Sequence, residues 1–237
     1  MARGSISATG SHAGARQQRS AGVATRRKIL DAAEALFGER TYDTVSLRDI
    51  AGRAKVTLHL ASYHFGTKEQ LFGAVVARRA AVLSELRQAR LTQLAAHRAL
   101  TPEAILDAFM RPLFEKMASG SRGWRSYLLI LTQLGHGNRW LEILHDNFDP
   151  TAELFLKKLA EALPEIPHKT LMRGFALALV AMLQTLSRNR RLDALSGGEI
   201  SADDLEEAYR VLLQFSVAGL QGLRPVMRRS HPNRRDE

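Results

Sequence analysis

The sequence contains no cysteine, which excludes disulfide bonds, thiolate metal sites and cysteine nucleophiles. It has no apolar run long enough to span a membrane as a helix, and its first residues lack the apolar core of a secretory signal peptide. It also lacks segments in which apolar and polar residues alternate as they do in a half-buried strand. These absences predict an all-α protein that works in the cytoplasm and has no membrane as a partner.

What the chain does have is positive charge, concentrated towards its two ends. The net charge is +10, from 34 Lys and Arg against 24 Asp and Glu. Residues 1–70 carry a net +5, residues 71–223 only +2, and residues 224–237 a further +3. A cationic N-terminal region suits a polyanionic partner such as nucleic acid.

The stretch Ser46–Lys68 has the pattern of two short helices joined by a tight turn. Ser46 with Asp49 three residues on is a capping-box pattern for the first helix, and Thr57 can cap a second helix over Leu58–His64. That second helix is about two turns long, too short to be stable alone, so it must pack on other helices. Its outer face is polar with almost no acid, which suits the DNA major groove. The stretch therefore predicts a helix-turn-helix.

Helices are predicted on both sides of this motif. The spacing of apolar residues over Thr25–Arg40 predicts an amphipathic helix that supports it. Further helices are expected at about 67–90, 102–118, 124–134, 149–163, 168–188 and 201–223, with a short segment at 139–145 leading to the fourth of these. The predicted organisation is a disordered basic arm over 1–22, a three-helix domain with the helix-turn-helix over 23–68, a larger helical ligand-binding and dimerisation domain over 69–223, and a disordered basic tail over 224–237.

Three runs of residues resemble a known family. They are TRRKILDAAEALF from Thr25, YDTVSLRDIAGRA from Tyr42 and YHFGTKEQLF from Tyr63, and they are similar to the N-terminal domain of TetR-type transcriptional regulators. The resemblance implies a regulator rather than an enzyme: a homodimeric repressor that binds a palindromic operator in double-stranded DNA and is released by a ligand. It implies no cofactor beyond that effector, which is expected to be a small apolar or amphipathic molecule.

The motif itself departs from the family pattern at a few positions. Lys55 stands in the turn where the family usually has glycine, a residue that tolerates unusual φ values. Leu60 and Ala61 stand where the family has a small residue and a buried aliphatic residue. We therefore expect Leu60 to take over part of the packing and the helix to be slightly rotated. Ser62 replaces a frequent aromatic or Asn side chain.

The resemblance assigns DNA-contacting roles by position in the motif. His59 is expected to read a base edge. Tyr63, His64 and Lys68 are expected to hold phosphates, which set register rather than sequence preference; Tyr63 and His64 could instead simply cover the edge of the domain. The predicted DNA-binding residues are Arg26, Arg27, Lys28, Ser46, Arg48, Lys55, Thr57, Leu58, His59, Ser62, Tyr63, His64 and Lys68.

The C-terminal helices are expected to supply a dimer surface and a ligand pocket. Family members pair their last two long helices, and the predicted dimer residues are Phe175, Leu179, Met182, Leu186, Tyr209, Leu213, Val217 and Leu220. A second apolar and aromatic set is either a pocket between helices or plain core. The predicted pocket residues are Phe109, Met110, Met117, Trp124, Tyr127, Leu131, Trp140, Phe148 and Phe175.

Two other functions stay open at this point. A ligand-independent DNA-binding or architectural protein would use the same motif but would not need so large a body. A helical metal-dependent enzyme has one indication, the Glu-x-x-His pair Glu142 and His145, whose spacing occurs in helical di-iron sites. Such sites need two pairs and two further glutamates, so we predict no metal ligand and no catalytic residue.

Overall fold

The computed structural model describes residues 9–135 and 138–224, with side chains from Ser20 onward. Residues 1–8 of the predicted arm and 225–237 of the predicted tail lie outside the described residues. Within the described ranges all regular structure is helical, so the predicted all-α class is confirmed. The helices are α1 (Thr9–Glu39), α2 (Leu47–Ala54), α3 (Leu58–Phe65), α4 (Lys68–Ala96), α5 (Pro102–Ala118), α6 (Arg122–Leu134), α7 (Leu141–Asn147), α8 (Asp149–Ala162), α9 (His168–Leu186), α10 (Arg191–Leu195) and α11 (Leu205–Gly222), with a 3₁₀ turn at Tyr42–Thr44.

The chain forms two compact units whose boundary is not at residue 68. The first unit takes the chain up to Val82 together with Ser119–Asn147, and the second takes Leu83–Ala118 and the chain from Phe148 onward. The segment Ser119–Asn147 contains α6 and α7, which sequence analysis assigned to the C-terminal body. The functional division predicted at residue 68 remains a prediction, but the packing of the chain follows a different line.

The first unit is built around α1, whose predicted apolar stripe is buried. Ile29, Ala33 and Phe37 have no exposed surface, and α2, α3 and α6 pack against this helix. α6 approaches so closely that a Cβ atom added at Gly38 would lie 2.5 Å from the Cβ of Ser126. Such a short separation leaves no room for a side chain at Gly38, so α6 is part of the support of the helix-turn-helix.

α1 begins at Thr9, earlier than the predicted start at Thr25 and inside the arm predicted over 1–22. Residues 9–24 include several Ala, Arg and Gln residues and no proline, so the sequence can continue a helix upstream. None of the side chains from Ser20 to Lys28 is buried. The stretch Ser20–Lys28 of α1 therefore adds no buried side chain to the core of the first unit.

The second unit combines the later part of α4 with α5, α8, α9, α10 and α11. Its core is aromatic: Phe109 meets Phe155 and Phe175 edge-on, with ring centroids 5.1 Å apart in both pairs. The predicted cap of α5 is present, since the Thr101 hydroxyl accepts from the N–H of Ala104 at 3.1 Å. The short helix α10 was not predicted. No helix in the described ranges has the length and apolar character needed to cross a membrane.

Candidate nucleic-acid interface

The two helices of the helix-turn-helix start at the predicted caps. The Ser46 hydroxyl accepts from the backbone N–H of Asp49 at 3.1 Å, and the Asp49 carboxylate accepts from the backbone N–H of Ser46 at 2.9 Å. The Ser46 hydroxyl also donates to that carboxylate and lowers the pKa of Asp49, with the backbone bond adding to the effect. Thr57 caps α3 by accepting from the N–H of Leu60 at 3.2 Å. The hydroxyls of both predicted DNA-binding caps therefore already serve the helices.

Lys55 ends α2 in the left-handed conformation, with φ 56° and ψ 46°. Its backbone N–H is bonded to the carbonyls of Ala51 and Gly52, and the next residue, Val56, donates to Ala51 at 3.0 Å. This is the helix-ending geometry that favours glycine, which explains the residue type usual at this place. The Lys55 side chain is exposed, so the strained turn carries a solvent-facing cation.

α3 turns its small residue inward and its reading face outward. Ala61 is fully buried, and Phe65 is buried at the end of the helix. Leu60 is only half-buried, so it shares the packing without replacing Ala61. The outward side carries His59 and Tyr63, the latter 76% exposed. The exposed face is therefore the one predicted to meet DNA.

The remaining predicted contacts on α2 and α3 differ in how freely they face solvent. Arg48 is exposed, and Leu58 is 40% exposed. Ser62 and His64 are half-buried, and the His64 ring meets the Tyr63 ring edge-on at 5.4 Å. The open surface of the helix-turn-helix is thus formed mainly by Arg48 of α2 and by Leu58, His59 and Tyr63 of α3.

The predicted basic approach on α1 lies next to the end of α3. The Arg26 guanidinium stacks over the Phe65 ring, 4.8 Å from its centroid. Arg26, Arg27 and Lys28 are all exposed. A cluster of exposed cations beside a helix-turn-helix is suited to phosphate contacts. Their contact with DNA remains a prediction.

Lys68, predicted to hold a phosphate, has partners within the chain. Its ammonium group donates to the carbonyls of Tyr42 and Val45, at 3.0 Å and 2.9 Å, and lies 4.1 Å from the centre of the Tyr42 ring. A lysine held by two carbonyls and a ring face has little freedom to reach a phosphate. The motif match could not show this because the carbonyls belong to residues more than twenty positions earlier.

We call the segment Arg40–Ser46, which joins α1 to α2, the connector. It is held mainly through Tyr42, which is 7% exposed and packs on Phe37, Phe72 and Trp140. Burial raises the pKa of the Tyr42 phenol, with the negative charge of Glu69 adding to the effect.

Two residues far along the sequence also bind the connector. The side-chain amide of Gln133 binds backbone groups of Phe37 and Tyr42. Arg139 pairs with Asp43 at 2.7 Å and lies over the Tyr42 ring. Neither Gln133 nor Arg139 was predicted to belong to this region. The available signal was a glutamine in the largely apolar second half of α6.

A buried ion-pair cluster ties α1 to α4 inside the first unit. Glu34 is 2% exposed and accepts from Arg78 and from Arg79, the latter at 2.8 Å. Burial lowers the pKa of the Arg79 guanidinium, which also stacks over Trp124 at 4.7 Å. A cavity of about 250 Å³ opens beside the cluster. It is lined by Asp31, Glu34, Ala35, Arg79, Arg122, Gly123 and Ser126.

The residues predicted to line a ligand pocket do not belong to one unit. Trp124, Tyr127, Leu131 and Trp140 lie in the first unit, and Phe109, Met110, Met117, Phe148 and Phe175 lie in the second. All except the half-buried Phe148 are buried side chains. The prediction grouped them because aromatic stripes at helical spacing look alike whichever helix they pack against. A cavity of about 290 Å³ in the second unit is lined by other residues, among them Arg111, Tyr209 and Arg210.

The residues predicted to form the dimer surface need a similar correction. Phe175, Met182, Leu186, Tyr209 and Leu220 are buried within the chain, and Leu179, Leu213 and Val217 are half-buried. The buried side chains hold α9 and α11 to the rest of their unit and cannot also face a partner. The outward faces of these helices carry Leu177, Val180, Val211 and Phe215, which are 71%, 67%, 51% and 69% exposed.

The alternative of a metal-dependent enzyme would need further metal-ligating side chains near Glu142 and His145. In the described part of the chain no group of three or more His, Asp or Glu side chains is arranged to hold a metal ion. Glu142 and His145 are both exposed on α7.

Two family models match the chain. The model described as bacterial regulatory proteins, tetR family, matches residues 29–75. The model described as tetracyclin repressor-like, C-terminal domain, matches residues 107–219. Together they account for about two thirds of the sequence.

Curated relatives match the N-terminal region. The HTH-type transcriptional repressor Rv3405c of Mycobacterium tuberculosis and the HTH-type transcriptional regulator Mb3439c of Mycobacterium bovis are each 56% identical to this chain over 48 residues. That stretch is 20% of this chain and 26% of each relative. The chain thus spans about a quarter of the length of these relatives.

Two solved structures resemble most of the chain in fold. HlyIIR, a hemolysin II transcriptional regulator, aligns with a TM-score of 0.53 and 19% identity over 81% of this chain and 98% of its own. A protein from Mesorhizobium loti, described as a TetR-family transcriptional regulator, aligns with a TM-score of 0.51 and 19% identity, covering 83% of this chain and 96% of its own. At this identity the likeness concerns the fold alone.

Proposed function

Because this chain belongs to the TetR family of bacterial transcriptional regulators, we propose that it is a repressor that binds a palindromic operator as a homodimer. We propose further that a small-molecule effector releases it from DNA. Members of this family are DNA-binding regulators rather than enzymes. The proposed activity is therefore DNA binding, and its control is the release of DNA when the effector binds.

The observation that carries the proposal is the exposed face of α3. This helix contains no acidic residue, and its outward residues His59 and Tyr63 are free of the packing that holds Ala61 and Phe65. Arg26, stacked on Phe65, brings the exposed cations of α1 to the end of the same helix. A short, acid-free helix bordered by cations fits the major groove and its phosphates.

A homodimer is needed because one such helix makes a small interface. α3 is only eight residues long, and a helix of that size reads too few base pairs for a specific site. Two copies related by a two-fold axis would double the contact and place their reading helices about 34–36 Å apart, one helical turn of DNA. The exposed Leu177 and Val180 on α9, with Val211 and Phe215 on α11, are suited to pairing the copies.

An effector site is proposed for the second unit. This unit holds a cavity of about 290 Å³, which lies close to the lower limit for small-molecule sites. Its lining is mainly charged and polar, with Arg111, Glu206 and Arg210 among its residues, so it suits a polar or charged effector rather than the apolar one that the family resemblance implies. α4 begins beside the helix-turn-helix at Lys68 and continues into the second unit as far as Ala96. A helix shared in this way could pass a change in the second unit to the first. A coupling of about 1–3 kcal/mol between effector and DNA would be ordinary for such a regulator.

The DNA proposal is tested by selecting fragments of the source genome with the purified full chain. We expect a small number of selected fragments, each with an inverted repeat, a footprint covering both half-sites and an affinity that falls steeply with salt. If no fragment is retained at low salt, the proposal that this protein is an operator-binding regulator fails.

The effector proposal is tested by screening small molecules for thermal stabilisation and then for release of the selected fragment. A ligand at 100 times its Kd should add about 2.7 kcal/mol to stability. A compound that both stabilises the chain and weakens DNA binding supports a sensor. If compounds stabilise the chain without affecting DNA binding, the ligand-independent alternative is favoured.

A further inference from the structure

The helix-turn-helix is attached to its supporting helices through backbone groups that its own segment leaves unpaired. The last carbonyls of any α-helix have no partner within the helix. In α1 these include the carbonyl of Phe37, and the carbonyl of Arg40, at the start of the connector, also lies beyond the end of the helix. The N–H of Tyr42, in the middle of the connector, also needs an acceptor from elsewhere.

Gln133, near the end of α6, meets all three of these needs. Its Nε2 donates to the carbonyl of Phe37 at 3.0 Å and to that of Arg40 at 3.5 Å, and its Oε1 accepts from the N–H of Tyr42 at 3.2 Å. The orientation of the amide is fixed, because a carbonyl can only accept and a backbone N–H can only donate. One side chain thus forms hydrogen bonds both to the end of α1 and to the connector.

The position of Gln133 is set by the packing of α6 on α1. Ser126, two helical turns earlier on the same face of α6, lies against Gly38 in the close approach described above. Ile130, between them on that face, is fully buried. A rotation or shift of α6 would therefore carry the amide of Gln133 away from the connector.

A second pair of contacts from the same segment acts on the next residues of the connector. Arg139 pairs with Asp43 at 2.7 Å, and Trp140 packs edge-on against Tyr42 with centroids 4.7 Å apart. The connector leads directly into Ser46, the cap of α2. Its geometry therefore decides where α2, and with it α3, stands relative to α1.

The path of the chain connects this arrangement to the second unit. Ser119–Asn147, which carries Gln133, belongs to the first unit, yet its two ends continue into α5 and α8 of the second unit. We propose that Gln133 is a positioning residue for DNA reading: it fixes the connector, and a shift of α6 changes the placement of α3. This inference rests on the proposed function for its DNA readout, whereas the hydrogen bonds can be tested without DNA.

The experiment compares the full chain with the variants Gln133→Leu and Gln133→Asn. Leucine keeps the size of the side chain and removes its polar atoms, and asparagine keeps the amide but is one methylene too short to bridge the three groups. Thr132→Val is the matched control, since the Thr132 hydroxyl bonds to the carbonyl of Leu129 within α6. The measurements are the hydrogen-exchange rate of the Tyr42 amide, the affinity for a DNA fragment selected by the wild-type chain, and the affinity for random DNA.

We expect the Tyr42 amide to lose protection in both variants of Gln133 and to keep it in Thr132→Val. Affinity for the selected fragment should fall roughly tenfold, the ratio that one or two lost hydrogen bonds produce. Binding to random DNA and the salt slope should stay the same, because no phosphate contact is removed. A residue with a merely structural role would lower both affinities together.

Several outcomes would overturn the inference. Unchanged protection of Tyr42 would show that Gln133 does not hold the connector. Lost protection with unchanged affinity for the selected fragment would show that the connector does not position α3. If the wild-type chain selects no DNA at all, it is the proposed function that fails, and the positioning role for DNA reading fails with it. If Gln133→Leu does not fold, Gln133→Asn decides the question.

Discussion

The exposed face of α3 and the exposed faces of α9 and α11 are opposite in chemical character. α3 turns His59 and Tyr63 outward, next to the exposed cations of α1. α9 and α11 expose aliphatic and aromatic side chains instead, including Leu177 at 71% and Phe215 at 69%. Surfaces of the first kind suit a hydrated polyanion, whereas large exposed apolar side chains mark a protein partner.

The interiors behind these faces are more alike, because each combines an aromatic cluster with long-range polar bonds. In the first unit, Tyr42 packs on Phe37 and Phe72, and Gln133 bonds to the end of α1. In the second unit, Phe109 packs on Phe155, and the buried Arg87 donates to the Phe109 carbonyl at 2.8 Å. Such bonds fix geometry closely because each has a preferred length and angle. The two units therefore differ in their exposed faces and not in how their interiors are built.

The largest expected effect comes from placing a charge on the apolar face. Leu177→Asp should convert the proposed dimer into a monomer of 26.3 kDa. An uncompensated charge in a buried interface costs about 3–5 kcal/mol, so the dissociation constant should rise by a factor of the order of 10²–10⁴. Sedimentation equilibrium measures this change. Leu141→Asp, at another exposed leucine on α7, should leave the mass unchanged, and a dimeric Leu177→Asp protein would contradict the proposed interface.

The second-largest expected effect is on stability and concerns the buried ion pairs of Glu34 in the first unit. Glu34→Gln should lower the free energy of unfolding by about 2–3 kcal/mol, somewhat below the usual value for a broken buried pair because Arg78 and Arg79 keep some contact with water. Thermal unfolding should show a lower Tm. The control is Glu39→Gln, whose exposed pair with Arg53 should contribute nothing measurable. Equal losses in both variants would show that burial of the Glu34 cluster does not matter.

His59→Ala tests whether the polar face of α3 reads sequence. It should reduce discrimination at one base pair of the selected fragment by about 1–3 kcal/mol. The measurement is the affinity ratio between that fragment and variants with single base-pair changes. Lys28→Ala should instead weaken binding to all sequences alike and lower the salt slope by about one. If His59→Ala leaves all ratios unchanged, another residue on α3 reads the bases.

The smallest expected effect concerns Lys55, where a substitution distinguishes backbone strain from a side-chain contact with DNA. Lys55→Gly should stabilise the chain by about 0.5–1 kcal/mol, because glycine adopts the left-handed conformation without strain. Urea unfolding measures this gain. Arg98→Gly is the matched control, since Arg98 also has a positive φ, of 53°, but lies in the second unit. Both variants should be stabilised, and only Lys55→Gly should bind DNA more weakly; equal affinities would remove Lys55 from the interface.

Features set by neighbours in sequence were predictable. The capping box at Ser46, the cap at Thr57 and the stripe of α1 depend on residues within one or two helical turns, and the structure shows all three. The unusual backbone at Lys55 was also expected from the residue type normally found there.

Features set by distant parts of the chain were not predictable. Lys68 was assigned to phosphates because nothing in its neighbourhood showed that two carbonyls more than twenty residues away would hold it. The apolar stripes of α9 and α11 indicated an interface, but a stripe does not say which of its edges faces inward. For the same reason the aromatic residues of α5 and α6 were combined into one pocket, although α6 packs on α1.

The place of Ser119–Asn147 in the first unit has a consequence for how the protein is made. When a ribosome has completed Val82, the helix-turn-helix is fully synthesised but its support from α6 does not yet exist. That support arrives only after about 50 more residues, several seconds later at ordinary rates of synthesis. Until then the connector has no Gln133 to hold it and α1 has no α6 to cover Gly38. A nascent chain should therefore acquire an ordered DNA-reading unit only after its C-terminal half has begun to emerge.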